Sequence, residues 1–186
     1  MNLILAVNGA TGAWAAELLL KKSPWPVTLV ASEWGKAVVA REGGDFARLA
    51  QMADKVFDDA DLAAPISSGS IPTLGMIVLP CSANTLAKVA HGISDSLITR
   101  AAHCHLKERR RLVLCVRETP WSLIDCQNAA AVSAAGGVVM PLSPPFYQML
   151  GRDPATVTMT DLLNSYVDRV LALFGHAAAA NWETVS

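Results

Sequence analysis

The 186-residue sequence predicts a three-layer α/β domain, a mostly parallel sheet covered by helices on both faces. Three observations predict it. The runs Leu3–Val7, Pro26–Ala31, Gly75–Leu79 and Leu112–Val116 are continuously apolar, as strands covered on both faces are. Segments with apolar residues at helical spacing alternate with them. Glycines and small polar residues stand where strand runs give way to helical ones, as strand–helix turns require.

Each element has its own local reason. Leu3–Val7 ends in Asn8-Gly-Ala-Thr-Gly12, and Ala13, Ala16, Leu19 and Leu20 mark one face of the following helix. Pro26–Ala31 is the second strand, and Ser32 is a cap for the helix after it. Residues 43–73 are polar and broken, which predicts a loop with a short strand near Lys55–Phe57. Gly75–Leu79 is a third strand, halted at Pro80, which cannot donate to a sheet ladder. Thr85–His91 and Ser94–Leu106 read as helices parted by Gly92. Leu112–Val116 is a strand, Ser122–Ala135 a helix broken by Gly136-Gly137, and Val138–Met140 a last short strand. After a Pro- and Gly-rich stretch over 141–155, Thr160–Phe174 reads as an amphipathic helix with Thr160 or Asp161 as its cap. The length fits a single domain over residues 1–186.

Composition narrows the function classes. The chain is 52% hydrophobic and 17% charged, so much of it is buried between layers or in subunit interfaces. A net charge of −1 carries no nucleic-acid or membrane-surface footprint. No apolar run approaches the roughly 18 residues that span a bilayer. Met1–Val7 reads as a strand, because no basic segment opens it and it runs into a Gly-rich turn. Cys81, Cys104, Cys115 and Cys126 have no ligand spacing and read as reduced thiols of a cytoplasmic protein without a metal. His91, His103, His105 and His176 form no triad or metal pattern and read as structural or surface residues.

The chemistry-bearing stretches sit at strand ends. Leu79-Pro-Cys-Ser-Ala-Asn-Thr85 puts small hydroxyl and amide side chains where a helix begins, and helix N-termini offer unpaired N–H groups and positive dipole to an anion. It reads as one wall of a phosphate or flavin site, with Ser82 and Thr85 as donors. Gly9-Ala-Thr-Gly12 either lets a phosphate approach, with Thr11 adding a hydroxyl, or is an ordinary turn. Ser67-Ser-Gly-Ser70 is either a second anion cradle or a surface loop. Three such loops at one carboxyl edge of the sheet point to an anionic ligand. Arg117-Glu118 follows a buried strand, and the pair could hold a phosphate and pass it a proton or form a surface ion pair. Lys107-Glu-Arg-Arg-Arg111 reads mainly as a solvated helix end. Trp14, Trp34 and Trp121 either stack on a flat cofactor or fill interfaces.

These motifs together resemble the flavin prenyltransferases, small flavoproteins of Rossmann/flavodoxin-like fold that make prenylated FMN. The resemblance rests on Gly9-Ala-Thr-Gly12, Ser67-Ser-Gly-Ser70, Pro80-Cys-Ser82, Leu97-Ile-Thr-Arg100-Ala-Ala, Leu106-Lys-Glu-Arg-Arg110, Leu112-Val-Leu-Cys-Val-Arg-Glu-Thr-Pro120 and Pro145-Phe-Tyr147. It implies a metal-independent enzyme that joins the prenyl group of dimethylallyl monophosphate to N5 of reduced FMN and closes a ring onto C6. Prenylated FMN, the product, then serves a partner decarboxylase. By matching position, Gly9, Ala10, Thr11, Ser32, Ser82, Thr85, Arg100 and Arg117 would contact FMN. Ser68 and Gly69 would lie beside the prenyl phosphate. Lys107, Arg117, Tyr147 and Arg169 would bind it. Glu118 would handle its proton, and Glu42 would assist proton removal during ring closure. Family sites are assembled between neighbouring subunits of a homododecamer, which implies the same here. Departures are Thr11 where the family has Ser, Gly43-Gly44 after Glu42, and Gln148-Met-Leu-Gly-Arg152 with a longer segment before Arg169. Two other readings are an FMN-binding accessory subunit without prenyl transfer and an FMN-dependent cysteine-type decarboxylase. The latter would need a His in the region of Ala31-Ser-Glu-Trp-Gly35, and none stands there.

Overall fold

The computed structural model describes residues 1–146 and 150–177. In chain order its elements are β1 (Leu3–Val7), α1 (Trp14–Lys22), β2 (Val27–Ala31), α2 (Glu33–Arg41), α3 (Phe46–Met52) and β3 (Lys55–Asp58). They continue with β4 (Gly75–Cys81), α4 (Ala83–Ala90), α5 (Leu97–Lys107), β5 (Leu112–Val116), α6 (Leu123–Ala134), β6 (Val138–Val139) and α7 (Met159–Ala172). The strands form one sheet in the order β3-β2-β1-β4-β5-β6, parallel at every pairing. It is the Rossmann-type arrangement of a doubly wound sheet.

Strand period two divides the apolar residues between two cores. Leu3, Leu5 and Val7 of β1 join Leu29, Ile77 and Leu79 against α1, α3 and α7. Ile4 and Ala6 join Val30, Met76, Val78 and Leu114 against α4, α5 and α6. All five residues of β1 are fully buried, and each buried Leu or Ile contributes about 1.5–3 kcal/mol. The strand order reverses between β1 and β4, where Ala6 pairs with Val78. Open sheets of this kind bind ligands beyond the carboxyl ends of the strands at such a reversal.

Four sequence expectations are corrected. β4 does not stop at Pro80 but runs on to Cys81. Its pairing with β5 shifts between Val78 and Cys81, so the missing N–H of Pro80 falls where the ladder is already irregular. The 43–73 stretch holds a helix, α3, capped by Asp45 onto Ala47 N–H. Seven residues are too few for helical periodicity to stand out. α4 and α5 are offset from their expected starts at Thr85 and Ser94: each begins one residue after a capping serine, Ser82 or Ser96. α7 is capped by Thr158, and Asp161 closes the capping box back onto it.

Candidate functional site

A cleft of about 320 Å³ opens at the carboxyl edge. Asn8 follows β1, Ser32 follows β2 and Ser82 follows β4, so three neighbouring strands deliver its floor. Asn8 is buried and joins two of these elements. Its Oδ1 accepts from Ser82 N–H at 2.9 Å, and its Nδ2 donates to Thr85 Oγ1 at 2.9 Å. Ser82 Oγ caps α4 by accepting from Thr85 N–H at 3.2 Å. Ser32 Oγ does the same for α2, accepting from Gly35 N–H at 3.0 Å. Trp34 is 69% exposed at the cleft rim, its Cβ against Gly9, so an indole face is available for stacking.

Four helices begin around this cleft, and they treat their positive ends differently. α2 and α4 are capped by neutral serines. The N-terminus of α1 is filled by a carboxylate from α2's end: Glu42 accepts from Gly12 N–H at 2.7 Å and from Ala13 N–H at 2.8 Å. Asp59 likewise accepts from Ile98 N–H in the first turn of α5 at 2.7 Å. The dipole potential is therefore neutralised at α1 and α5 and left available at α2 and α4. Of the two readings of Gly9–Gly12, the geometry favours the ordinary turn. The turn depends on Gly12 at φ 102°, but its helix-start N–H groups already hold Glu42. Thr11 remains exposed at the surface of the turn.

The Ser67–Ser70 segment does not join the carboxyl edge, as its small residues led us to expect. It runs along the flank of α5. Ser67 O accepts from Arg100 Nε at 2.9 Å and from Cys104 Sγ at 3.2 Å. Gly69 O accepts from Arg110 Nη2, and Ile71 O from Arg110 Nη1 at 2.7 Å. Thr73 Oγ1 meets His105 Nε2 at 2.8 Å. His105 Nδ1 faces the Ala101 carbonyl, so that nitrogen carries the proton and Thr73 donates to Nε2 in the neutral ring. Burial holds the His105 imidazole below its ordinary value. The side chain of Lys107 is paired with Glu108. A Cβ on Gly69 would lie 2.6 Å from Lys107 Nζ. Gly69 is thus the residue that lets the loop close onto this ammonium.

The remaining expected residues are dispersed in the single chain. Lys107 and Arg110 precede β5, whereas Arg117 and Glu118 follow it. Five residues of strand, about 16 Å, separate the two groups. Arg117 is exposed, and Glu118 Oε1 accepts from Thr119 N–H at 3.1 Å. Trp121 Nε1 donates to Glu118 O at 2.9 Å, fixing that backbone. Arg169 is exposed in the last turn of α7, which packs on the other face of the sheet from α5. Tyr147 lies outside the described residues. Cys81, Cys104 and Cys115 are buried and Cys126 is exposed, all as free thiols. Burial pushes the Cys115 thiol up to about 12, which keeps it protonated.

Sequence reasoning missed Asn8, Asp59 and Arg110. A polar residue closing a fully apolar strand was a visible signal for Asn8. Asp59 and Arg110 act on partners 39 to 41 residues away, and no local pattern announces such contacts.

A family model described as Flavoprotein matches residues 1–171. The chain is 46% identical over 178 residues to the flavin prenyltransferase UbiX of Deinococcus radiodurans, covering 94% of this chain and 88% of that one. A crystal structure of AnUbiX (PadA1) in complex with FMN and dimethylallyl pyrophosphate superposes with a TM-score of 0.89 at 40% identity, covering 97% of this chain and 96% of the other. A dodecameric FMN-dependent UbiX-like decarboxylase from Escherichia coli O157:H7 superposes with a TM-score of 0.88 at 39% identity, covering 97% and 98%.

Proposed function

The chain belongs to the Flavoprotein family, among its flavin prenyltransferases, and from that premise we propose how its residues divide the work. It transfers a dimethylallyl group to FMN, giving prenylated FMN. Reduced FMN supplies the nucleophilic atoms N5 and C6, and the dimethylallyl ester supplies a phosphate leaving group. The cleft between α2 and α4 fits FMN in kind. Its two neutral serine caps leave helix N-termini for the cofactor's phosphate, and exposed Trp34 offers a face for a flat ring. Ser32, Ser82 and Thr85 hold FMN there, with the Gly9–Thr11 turn along its edge. The Nε of Arg100 is engaged with Ser67, and its terminal nitrogens serve as donors to FMN.

Ser68, Gly69 and Lys107 bind the prenyl phosphate, together with Tyr147 and Arg169. The observation that carries this reading is the close fit of Gly69 against the Lys107–Glu108 pair, where a side chain on residue 69 would come within 2.6 Å of Lys107 Nζ. A module that only stored FMN would have no use for a cation behind a glycine-opened loop. Arg117 neutralises phosphate charge, and the Glu118 carboxyl gives a proton to a departing phosphate oxygen. Glu42 holds the flavin turn through Gly12 and Ala13 and takes the proton released on ring closure. Because the strand length of β5 separates Lys107 from Arg117, the complete site is shared between copies of a homo-oligomer, a dodecamer. The product serves a decarboxylase in the cytoplasm, and the chain works as one domain.

Mixing the protein with FMN, a reductant and dimethylallyl monophosphate tests this. The expected result is a flavin carrying one added five-carbon unit and one released phosphate per flavin. Bound but unaltered FMN would leave the accessory-subunit reading standing. Glu118→Gln should slow phosphate release with FMN binding intact, and normal turnover in that variant removes Glu118 from the chemistry.

A further inference from the structure

The carbonyls of three alternate residues, Ser67, Gly69 and Ile71, all turn toward the α5 side and are all held by arginine. Arg100 takes the first from within the helix. Arg110 takes the other two with its two terminal nitrogens, a use of the guanidinium fork that a lysine cannot reproduce. The chain reaches this geometry through the end of α5. Glu108 caps the helix, and Arg109 adopts φ 57°, the left-handed conformation that usually falls to glycine at this position. The reversal lets Arg110 N–H bond His105 O at 2.9 Å and sends the Arg110 side chain back along the flank of α5. With carbonyls 67, 69 and 71 tied down, the hydroxyls of Ser68 and Ser70 are left at the surface, 2.8 Å apart, beside the Lys107–Glu108 pair. The Gly69 backbone that Arg110 grips lies against the Lys107–Glu108 pair, where a Cβ would come within 2.6 Å of Lys107 Nζ and 2.5 Å of Glu108 Oε1.

We infer that Arg110 is a positioning residue for the monophosphate subsite: by gripping Gly69 O and Ile71 O it sets the Ser68–Gly69 backbone against the Lys107 ammonium. This rests on the reading of Ser68, Gly69 and Lys107 as that subsite. Arg110 itself spends its terminal nitrogens on the loop and acts on the ligand through it. Removing it leaves the part-buried Gly69 carbonyl and the exposed Ile71 carbonyl without a charged donor, and the loop loses the shape that receives a phosphate.

The test is calorimetric titration of the full-length, FMN-loaded protein with dimethylallyl monophosphate and, separately, with inorganic phosphate. Arg110→Ala and Arg110→Lys are compared with wild type and with Lys107→Ala. Arg110→Ala should weaken both phosphates by about ten- to hundredfold, the range for charged hydrogen bonds, with the Kd for FMN unchanged. Arg110→Lys should recover little of the loss, and millimolar guanidinium should restore much of the Arg110→Ala affinity. The inference is overturned if Lys107→Ala loses phosphate binding while Arg110→Ala keeps it. It is also overturned if Arg110→Ala loses FMN in parallel, because the residue then supports the fold in general. If Lys107→Ala itself binds phosphate like wild type, the subsite reading fails along with the inference.

Discussion

In the proposed function the cleft and the far end of α5 share one task, holding a phosphate, with opposite means. The cleft uses backbone N–H groups at the starts of α2 and α4, with serines rather than cations at their caps. Lys88 on its wall is already taken by Asp95 at 2.7 Å. The far end of α5 gathers Lys107, Arg109, Arg110 and Arg111 where the helix dipole is negative and stabilises cations. The first site is recognition by fixed dipoles and needs little beyond the chain's own fold. The second, as proposed, is recognition by side-chain charge, and Arg117 and Glu118 stand at the other end of β5. A protein that must keep one phosphate and release another gains from this division. Dipoles inside a packed cleft do not rearrange, whereas a flexible ammonium can trade Glu108 for a ligand and back.

The comparison breaks first at Asn8. Replacing it by Ala orphans the part-buried Ser82 N–H, at about 1–3 kcal/mol, and removes one of two hydrogen bonds to the Thr85 hydroxyl, which keeps Ser82 Oγ at 3.2 Å. The urea midpoint should fall, and FMN affinity should fall with it. An unchanged midpoint would show that Asn8 does not tie the cleft together. Lys107→Ala should raise the KM for dimethylallyl monophosphate by about a hundredfold while leaving the FMN Kd alone. Salt sharpens the contrast. Between 0.05 and 0.5 M NaCl, binding of the monophosphate should weaken several-fold, and binding of FMN less than about twofold, because the Debye length that screens exposed charges shrinks from roughly 14 Å to about 4 Å. Equal salt slopes would erase the distinction.

Smaller effects follow at two anchors. Glu42→Gln keeps one acceptor but turns an amide N–H₂ toward the start of α1, which should cost about 1 kcal/mol in thermal stability. His105 gives a pH dependence of definite sign. Its folded-state value is lowered by burial, with Arg110 nearby as a further cause. The unfolded chain therefore takes up a proton near pH 6.5 that the folded chain refuses. Stability is full above about pH 6.5 and declines as pH falls below it. Thermal melts should show Tm dropping by a few degrees between pH 7 and 5.5, and His105→Gln should flatten that drop.

Much of the cleft was legible in the sequence because its determinants are local. A buried strand, then serine, then a helix is readable at Ser32 and Ser82 without any structure. The alternating strands were readable because burial on both faces leaves no polar residue inside a run such as Leu3–Val7. The phosphate end was legible only as a list of residue types. Ser67–Ser70 gives no sign that it lies along α5 rather than at the sheet edge, since the arginines holding it come 33 to 41 residues later. Glu42 is similar. Nothing around it says that its carboxylate closes a helix start 29 to 30 residues earlier. Pro80 misled for a different reason, because a strand tolerates proline where its ladder is already broken.

Complementation between subunits tests most directly whether the cationic end of α5 serves the cleft of another copy. Lys107→Ala chains and chains with the cleft blocked by Ser82→Leu are each assayed alone, then dissociated together, reassembled and assayed for prenylated FMN. A site shared between copies predicts two nearly inactive parents and a mixture with clear activity, since some interfaces pair an intact cleft with an intact Lys107. A mixture no more active than its parents would contradict it, placing cleft and lysine in the service of one and the same chain.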